Sequence, residues 1–304
     1  MQYYIGMDGG GTKTKCVLTD ENLNVLHECS GGPSTFILIG VDTVCNTMFD
    51  LINECIEQAG ITFDQIESAV IGTTGAGRRS DAETLEQGFT DFLKSKQLAL
   101  KKFRVESDAR IALEGAFGGN PGSILIAGTG SIMFGKDESG EIHRVGGFGR
   151  FIGDEGSGYM IGRKGLMAAA KSFDGRGAPT LLTGYIRDEF GIDDPSKLIT
   201  EIYKNNFDIA SAAPLVIRAA ENNDEVCENI IDEESDNLML HARAMKKKLQ
   251  VPGMKVAPIG GTISTDNYYA SKFREKVRKF LHEVEIIPAK YPPHIGAVIM
   301  AKNL

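Results

Sequence analysis

The chain has 304 residues, 42% of them hydrophobic and 24% charged, with a formal net charge of −8 and an isoelectric point near 5.3. That length suits two domains of ordinary size, and the acidic balance argues against a general nucleic-acid or anionic-membrane surface. No run approaches the about 18 apolar residues of a membrane span, and the start has no basic region ahead of an apolar core, so the cytoplasm is the expected location.

In chain order, strands are expected near residues 3–8, 15–19 and 24–29, then a helix over 41–60, a strand at 67–72 and a helix near 80–96. A strand at 103–106 and a helix at 108–117 follow, and three strands lie between 123 and 146. A mostly helical stretch runs from 157 to about 249; a strand over Lys255–Ile259, a helix from about 267, a short strand near 284–287 and a helix from about 293 close the chain. Hairpinned strands that then alternate with helices imply an α/β fold with mixed sheets flanked by helices. The run of turn formers from Phe117 to Gly122 separates residues 1–117 from 118–292, and the helix over 293–304 is expected to pack back on the first part.

Five cysteines, Cys16, Cys29, Cys45, Cys55 and Cys227, and five histidines are scattered without C-x-x-C or H-x-x-x-H spacing. They read as reduced, structural thiols with no structural metal.

Asp8-Gly9-Gly10-Gly11-Thr12-Lys13 lies between two apolar strand-like runs. Glycines let backbone N–H groups approach a phosphate, and Asp8 is suited to the water shell of Mg²⁺. An ordinary hairpin turn has the same local look. The second hairpin, about 120 residues on, carries Gly128-Thr129-Gly130-Ser131 in the matching place. Two such turns in repeated order point to two related lobes, each offering backbone donors.

Asp108 stands where a strand gives way to a helix. It reads as an N-terminal charge or as a general base for a hydroxyl. Six glycines among residues 146–158, with Asp154 and Glu155 between them, suggest a ligand-contacting loop. Gly260-Gly261-Thr262 follows a strand and admits a flat ring or a phosphate.

Together these segments resemble the N-acetylglucosamine kinases of the BadF/BadG/BcrA/BcrD-like group, within the actin, sugar kinase and heat-shock ATPase superfamily, over residues 1 to about 300. The resemblance implies two ribonuclease H-like, actin-like ATPase lobes around a central cleft, the second with a helical insertion. It implies ATP and Mg²⁺ as cofactors, with Gly9, Gly10, Gly11, Thr12 and Lys13 as first phosphate loop and Asp8 at the metal. Gly128, Thr129, Gly130 and Ser131 become the second phosphate loop, and Gly260 and Gly261 line the adenosine. Asp108 becomes the base at a sugar 6-hydroxyl, with Thr35, Gly75, Thr129, Gly146, Gly147 and Asp154 also on the sugar side. Many members have Asn at the place of Thr35 and Trp at that of Phe148. The sugar therefore stays open among N-acetylglucosamine, N-acetylmuramic acid and glucosamine, with Arg79 and Arg150 as candidate partners of a lactyl carboxylate. Competing expectations are an iron–sulfur activator ATPase of 2-hydroxyacyl-CoA dehydratases or benzoyl-CoA reductases and a non-enzymatic sensor ATPase. No nucleic-acid or membrane partner is expected, and a homodimer is left open.

Overall fold

The computed structural model describes residues 2–304. It divides into two compact units, one reaching Pro121 and including Pro288–Leu304, the other Gly122–Ile287.

In the first unit β1 (Tyr3–Gly9), β2 (Thr14–Asp20) and β3 (Val25–Gly31) form an antiparallel meander. Two helices, α1 (Phe36–Ile39) and α2 (Val41–Ala59), lead to β4 (Ile66–Thr73). Next come α3 (Arg79–Ser95), β5 (Phe103–Ser107) and α4 (Asp108–Phe117). The sheet order is β3-β2-β1-β4-β5, with β4 and β5 parallel to β1.

The second unit opens with β6 (Gly122–Ala127), β7 (Ser131–Lys136) and β8 (Ile142–Gly146). Five helices follow: α5 (Gly158–Phe173), α6 (Leu182–Phe190), α7 (Pro195–Lys204), α8 (Ala213–Glu221) and α9 (Glu225–Leu249). Then come β9 (Met254–Ile259), α10 (Tyr268–Phe280) and β10 (Val284–Ile286). This sheet reads β8-β7-β6-β9-β10, again an antiparallel meander with two parallel strands added. The strand order of the first sheet is thus repeated.

The alternation of β1 explains its two-sided burial. Ile5 and Met7 join Met48, Ile52, Leu85 and Phe89 on one face, while Tyr4 joins Val298 and Ile111 on the other. The last helix, α11 (Pro293–Lys302), covers that second face. It lies so close that a Cβ on Gly6 would fall 2.3 Å from the His294 carbonyl oxygen, and one on Gly296 would fall 1.9 Å from that of Ile111. Lys290 and Tyr291 donate backbone bonds to Ala116 and Gly115 ahead of it. Among the described residues no helix is long and apolar enough to cross a membrane.

Candidate active site

The first Gly turn closes the β1–β2 hairpin, with Gly9 paired to Thr14. Gly10 N–H donates to the Lys13 carbonyl at 3.0 Å, which leaves the amides of Gly11, Thr12 and Lys13 with no protein acceptor among the described residues. Exposed amides on a tight turn are what an anion needs. Behind the turn, Ser34 Oγ lies 3.1 Å from Thr73 Oγ1, Ser34 N–H donates to the Gly10 carbonyl and Thr74 N–H to the Gly9 carbonyl. A Cβ on Gly9 would sit 1.8 Å from Ser34 Oγ, so glycine is required there by packing as well as by access.

Asp8 sits at the end of β1, and Asp108 is the first residue of α4. Ser107, not Asp108, is the cap, its hydroxyl accepting from Arg110 N–H at 3.1 Å. That frees Asp108 to accept from Ala109 N–H at 2.8 Å and from Thr74 Oγ1 at 3.0 Å while its carboxyl stays exposed. Burial, and then the negative charge of Asp108, raise Asp8 above the usual carboxylate range against the pull of Lys13 and Lys15. Two carboxylates set close enough for the charge of Asp108 to act on Asp8 are a donor set suited to a hard divalent cation.

Thr35 is buried, and its Oγ1 has no hydrogen-bond partner among the described residues. A Cβ on Gly11 would come within 3.7 Å of that oxygen, which places the hydroxyl next to the turn. Gly75 has φ +100 and backs onto Ile37. Arg79 is engaged by neighbours in its own unit. Its guanidinium is bound by Glu83, Glu86 and the Val105 carbonyl, because α3 sets the two glutamates four and seven residues on.

In the second unit, Gly128 N–H donates to the Gly130 carbonyl at 2.9 Å, leaving the amides of Thr129 and Gly130 with no protein acceptor among the described residues. The N-terminus of α5 is tied to this turn: Gly158 N–H donates to the Gly128 carbonyl at 2.7 Å and Tyr159 N–H to that of Thr129 at 3.1 Å. Thr262 N–H donates to the Ala127 carbonyl at 3.3 Å, so the Gly260–Thr262 turn lies beside the same loop. Gly260 has φ +100, and a Cβ there would fall 2.5 Å from the Ala127 carbonyl oxygen, whereas one on Gly261 would meet nothing within 4 Å. Gly128, Thr129, Gly158, Gly261, Thr262 and Arg218 are among the walls of a cleft of about 820 Å³.

A further cleft, of about 620 Å³, shares Thr129 and Asp208 and adds Gly130, Arg150, Asp154 and Tyr159. Asp154 adopts φ +60, accepts from Gly149 N–H at 3.2 Å and lies against Gly130. Arg150 has no carboxylate partner among the described residues; its guanidinium lies over the rings of Phe151 and Tyr159, with centroids at 5.1 and 5.8 Å.

Three of the expected site residues have packing roles. Ser131 is buried and its hydroxyl donates to the Glu155 carbonyl at 2.6 Å, so its side chain ties two loops together. Gly146 and Gly147 line neither cleft. Both have positive φ, and a Cβ would strike His241 Nε2 at 2.3 Å and Ile132 Cδ1 at 2.3 Å respectively, so their identity follows from packing.

Residues invisible to motif reading also support the loops. Glu234, fully buried on α9, accepts from Gly156 N–H at 2.6 Å and pairs with Lys164, while Tyr269 donates its hydroxyl to the Gly156 carbonyl at 2.7 Å. Burial pulls Lys164 down, but its bonds to Glu233 and Glu234 outweigh this and raise it. Burial pushes the Tyr269 phenol well up, with the Glu234 charge adding to it. Glu234 is 78 residues from Gly156, and no local spacing announces it.

A family model described as the BadF/BadG/BcrA/BcrD ATPase family matches residues 5–301. The chain belongs to that family. Within it, this member is 36% identical over 308 residues to the N-acetylmuramic acid/N-acetylglucosamine kinase of Clostridium acetobutylicum, covering 100% of this chain and 99% of the relative. It is 27% identical to the N-acetyl-D-glucosamine kinase of Dictyostelium discoideum, covering 99% and 98% of the two chains. A solved structure from Chromobacterium violaceum superposes with a TM-score of 0.75 at 24% identity, covering 99% of each chain. That likeness establishes the fold, the actin-like ATPase architecture with two mixed sheets flanked by helices.

Proposed function

We propose that this ATPase-family member is an amino-sugar kinase, passing the γ-phosphoryl group of ATP to a hydroxyl of N-acetylglucosamine or N-acetylmuramic acid. The observation that carries this is the 36% identity, along the full length of both chains, to the kinase of those two sugars from Clostridium acetobutylicum.

Phosphoryl transfer asks a protein mainly for positioning and charge neutralisation. The free amides of Gly11 to Lys13 and of Thr129 and Gly130 are the donors we assign to the phosphates, with Gly9 letting Ser34 pack behind the first turn. The cleft beside Gly260 and Gly261 is the place we assign to adenosine. Mg²⁺ would be held by Asp8, and when bound it supplies positive charge to the phosphates. Asp108 would take the proton of the attacking hydroxyl at its carboxylate, which Thr74 and the Ala109 amide hold in place. Thr35 and Asp154 would bond sugar hydroxyls, and Arg150 would meet the lactyl carboxylate that only N-acetylmuramic acid carries. We place the protein in the cytoplasm, acting on small molecules with no nucleic acid or membrane.

The iron–sulfur activator reading has no comparable support. Its cluster would need ligands at an exposed face, and all five cysteines are buried. The test is ADP release with N-acetylglucosamine, N-acetylmuramic acid, glucosamine and glucose as acceptors. The two N-acetylated sugars should lead; glucose used better than all three would overturn the proposal.

A further inference from the structure

The chain between Asp154 and the head of α5 passes twice through left-handed backbone, at Asp154 with φ +60 and at Gly156 with φ +80. A non-glycine residue keeps such a conformation only where its surroundings fix it, and here every polar group of two successive peptides is held. The Glu155 carbonyl accepts from Ser131 Oγ at 2.6 Å, and the Gly156 N–H of the same peptide donates to Glu234 Oε2 at 2.6 Å. In the next peptide the Gly156 carbonyl accepts from the Tyr269 hydroxyl at 2.7 Å, and Ser157 N–H donates to the Asp154 carbonyl at 3.1 Å.

Glu234 and Tyr269 come from α9 and α10, and both are fully buried. Leu238, one turn along α9, closes the space beside Gly156, where a Cβ would fall 2.4 Å from its Cγ. The other oxygen of Glu234 pairs with Lys164 on α5, the helix whose Gly158 and Tyr159 amides bond the Gly128 and Thr129 carbonyls. One buried carboxylate therefore holds both the turn that carries Asp154 and the helix that seats the second glycine turn. Tyr269 holds the turn alone. Neither side chain lines either cleft.

We propose that Glu234 and Tyr269 are positioning residues for the sugar: through the two Gly156 peptides they set the Asp154 carboxylate against Gly130, at the wall of the 620 Å³ cleft. The proposal rests on the reading of Asp154 as a sugar contact. A displacement of about 1 Å in such a contact is enough to lower the rate, so two side chains that touch no ligand govern how the acceptor is held.

The test measures ADP release and melting temperature for wild type, Tyr269→Phe, Asp154→Ala and the double variant, with the preferred N-acetylated sugar as acceptor. Tyr269→Phe keeps the buried ring and deletes the bond to the Gly156 carbonyl. It should lower kcat/KM for the sugar about 3- to 10-fold, the worth of one hydrogen bond, with the KM for ATP close to wild type. In the Asp154→Ala background the same substitution should cost nothing further, because the group it positions is gone. Glu234→Gln, which also takes from Lys164 its buried partner, should lose more and raise the KM for ATP as well; if that variant fails to fold, Tyr269→Phe decides. The same loss from Tyr269→Phe in both backgrounds, or a lowered melting temperature with unaltered sugar kinetics, would make these residues purely structural and overturn the proposal. Full activity in Asp154→Ala by itself would remove the sugar contact, and the proposal with it.

Discussion

The turn at Gly10–Lys13 and the turn at Gly128–Gly130 close the same hairpin of two sheets with the same strand order, yet they are supported differently. Behind the first stands a hydroxyl network, Ser34 with Thr73, and beside it two carboxylates, Asp8 and Asp108. At the second, Asp154 lies against Gly130. That turn is tied to the N-terminus of α5 and to the Gly260–Thr262 turn, through bonds from Gly158, Tyr159 and Thr262. One scaffold, used twice, differs in what packs behind each turn: neighbouring carboxylates in the first unit, a cleft of about 820 Å³ in the second.

The sharpest test of that division is Asp108→Asn. With a general base contributing about 10²–10⁴-fold, kcat should fall by that factor while the melting temperature holds, because Ser107 keeps the helix cap. A loss under about tenfold would return Asp108 to the role of a helix-end charge.

Arg150→Ala tests the second unit's share in sugar choice. A hydrogen bond to a charged group is worth about 1.5–3 kcal/mol, so kcat/KM for N-acetylmuramic acid should drop about 10- to 100-fold while N-acetylglucosamine is little affected. Equal losses for both sugars would mean that the arginine shapes the cleft and does not read the carboxylate.

Neighbouring glycines should part company. Gly260→Ala forces φ +100 on alanine and a clash with the Ala127 carbonyl, costing about 1–3 kcal/mol of strain and weakening ATP use. Gly261→Ala meets open space and should leave melting temperature and the KM for ATP close to wild type. Equal stability of the two variants would count against the Gly260 geometry.

The smallest effect is on stability. Asp8 is raised in the fold by burial and by Asp108, so its ionisation opposes folding, and the penalty grows as pH rises through its folded value. Asp8→Asn should therefore melt higher than wild type at neutral pH without Mg²⁺, with the difference shrinking under acid, though its kinase activity is lost. A lower melting temperature at neutral pH would show that the carboxylate is stabilised after all.

Periodicity and glycine placement made the meanders, α2, α3, α4 and the two glycine turns legible, because each depends on contacts within a few residues. The helical stretch from 157 to 249 was legible only as helix; its division into α5 to α9 and the seating of Gly158 against Gly128 depend on partners far away. Arg79 and Arg150 look alike in the sequence, each beside glycines. One is bound by Glu83 and Glu86 and the other lines a cleft, a difference set by what their neighbours reach.

What the sequence by itself determined is the local chemistry: which residues can turn, donate amides or carry a proton, and hence the ATPase family. Tertiary structure alone decided which of those groups meet. The cysteines at 16, 29 and 55 are spread along the chain, yet cross-strand register and the lie of α2 bring their sulfurs together. Likewise Glu234, remote from any motif, reaches the Gly156 amide from α9. The physical reason is that side-chain period along a strand or helix is a local property, whereas strand pairing and helix seating are settled by burying apolar faces across the whole unit.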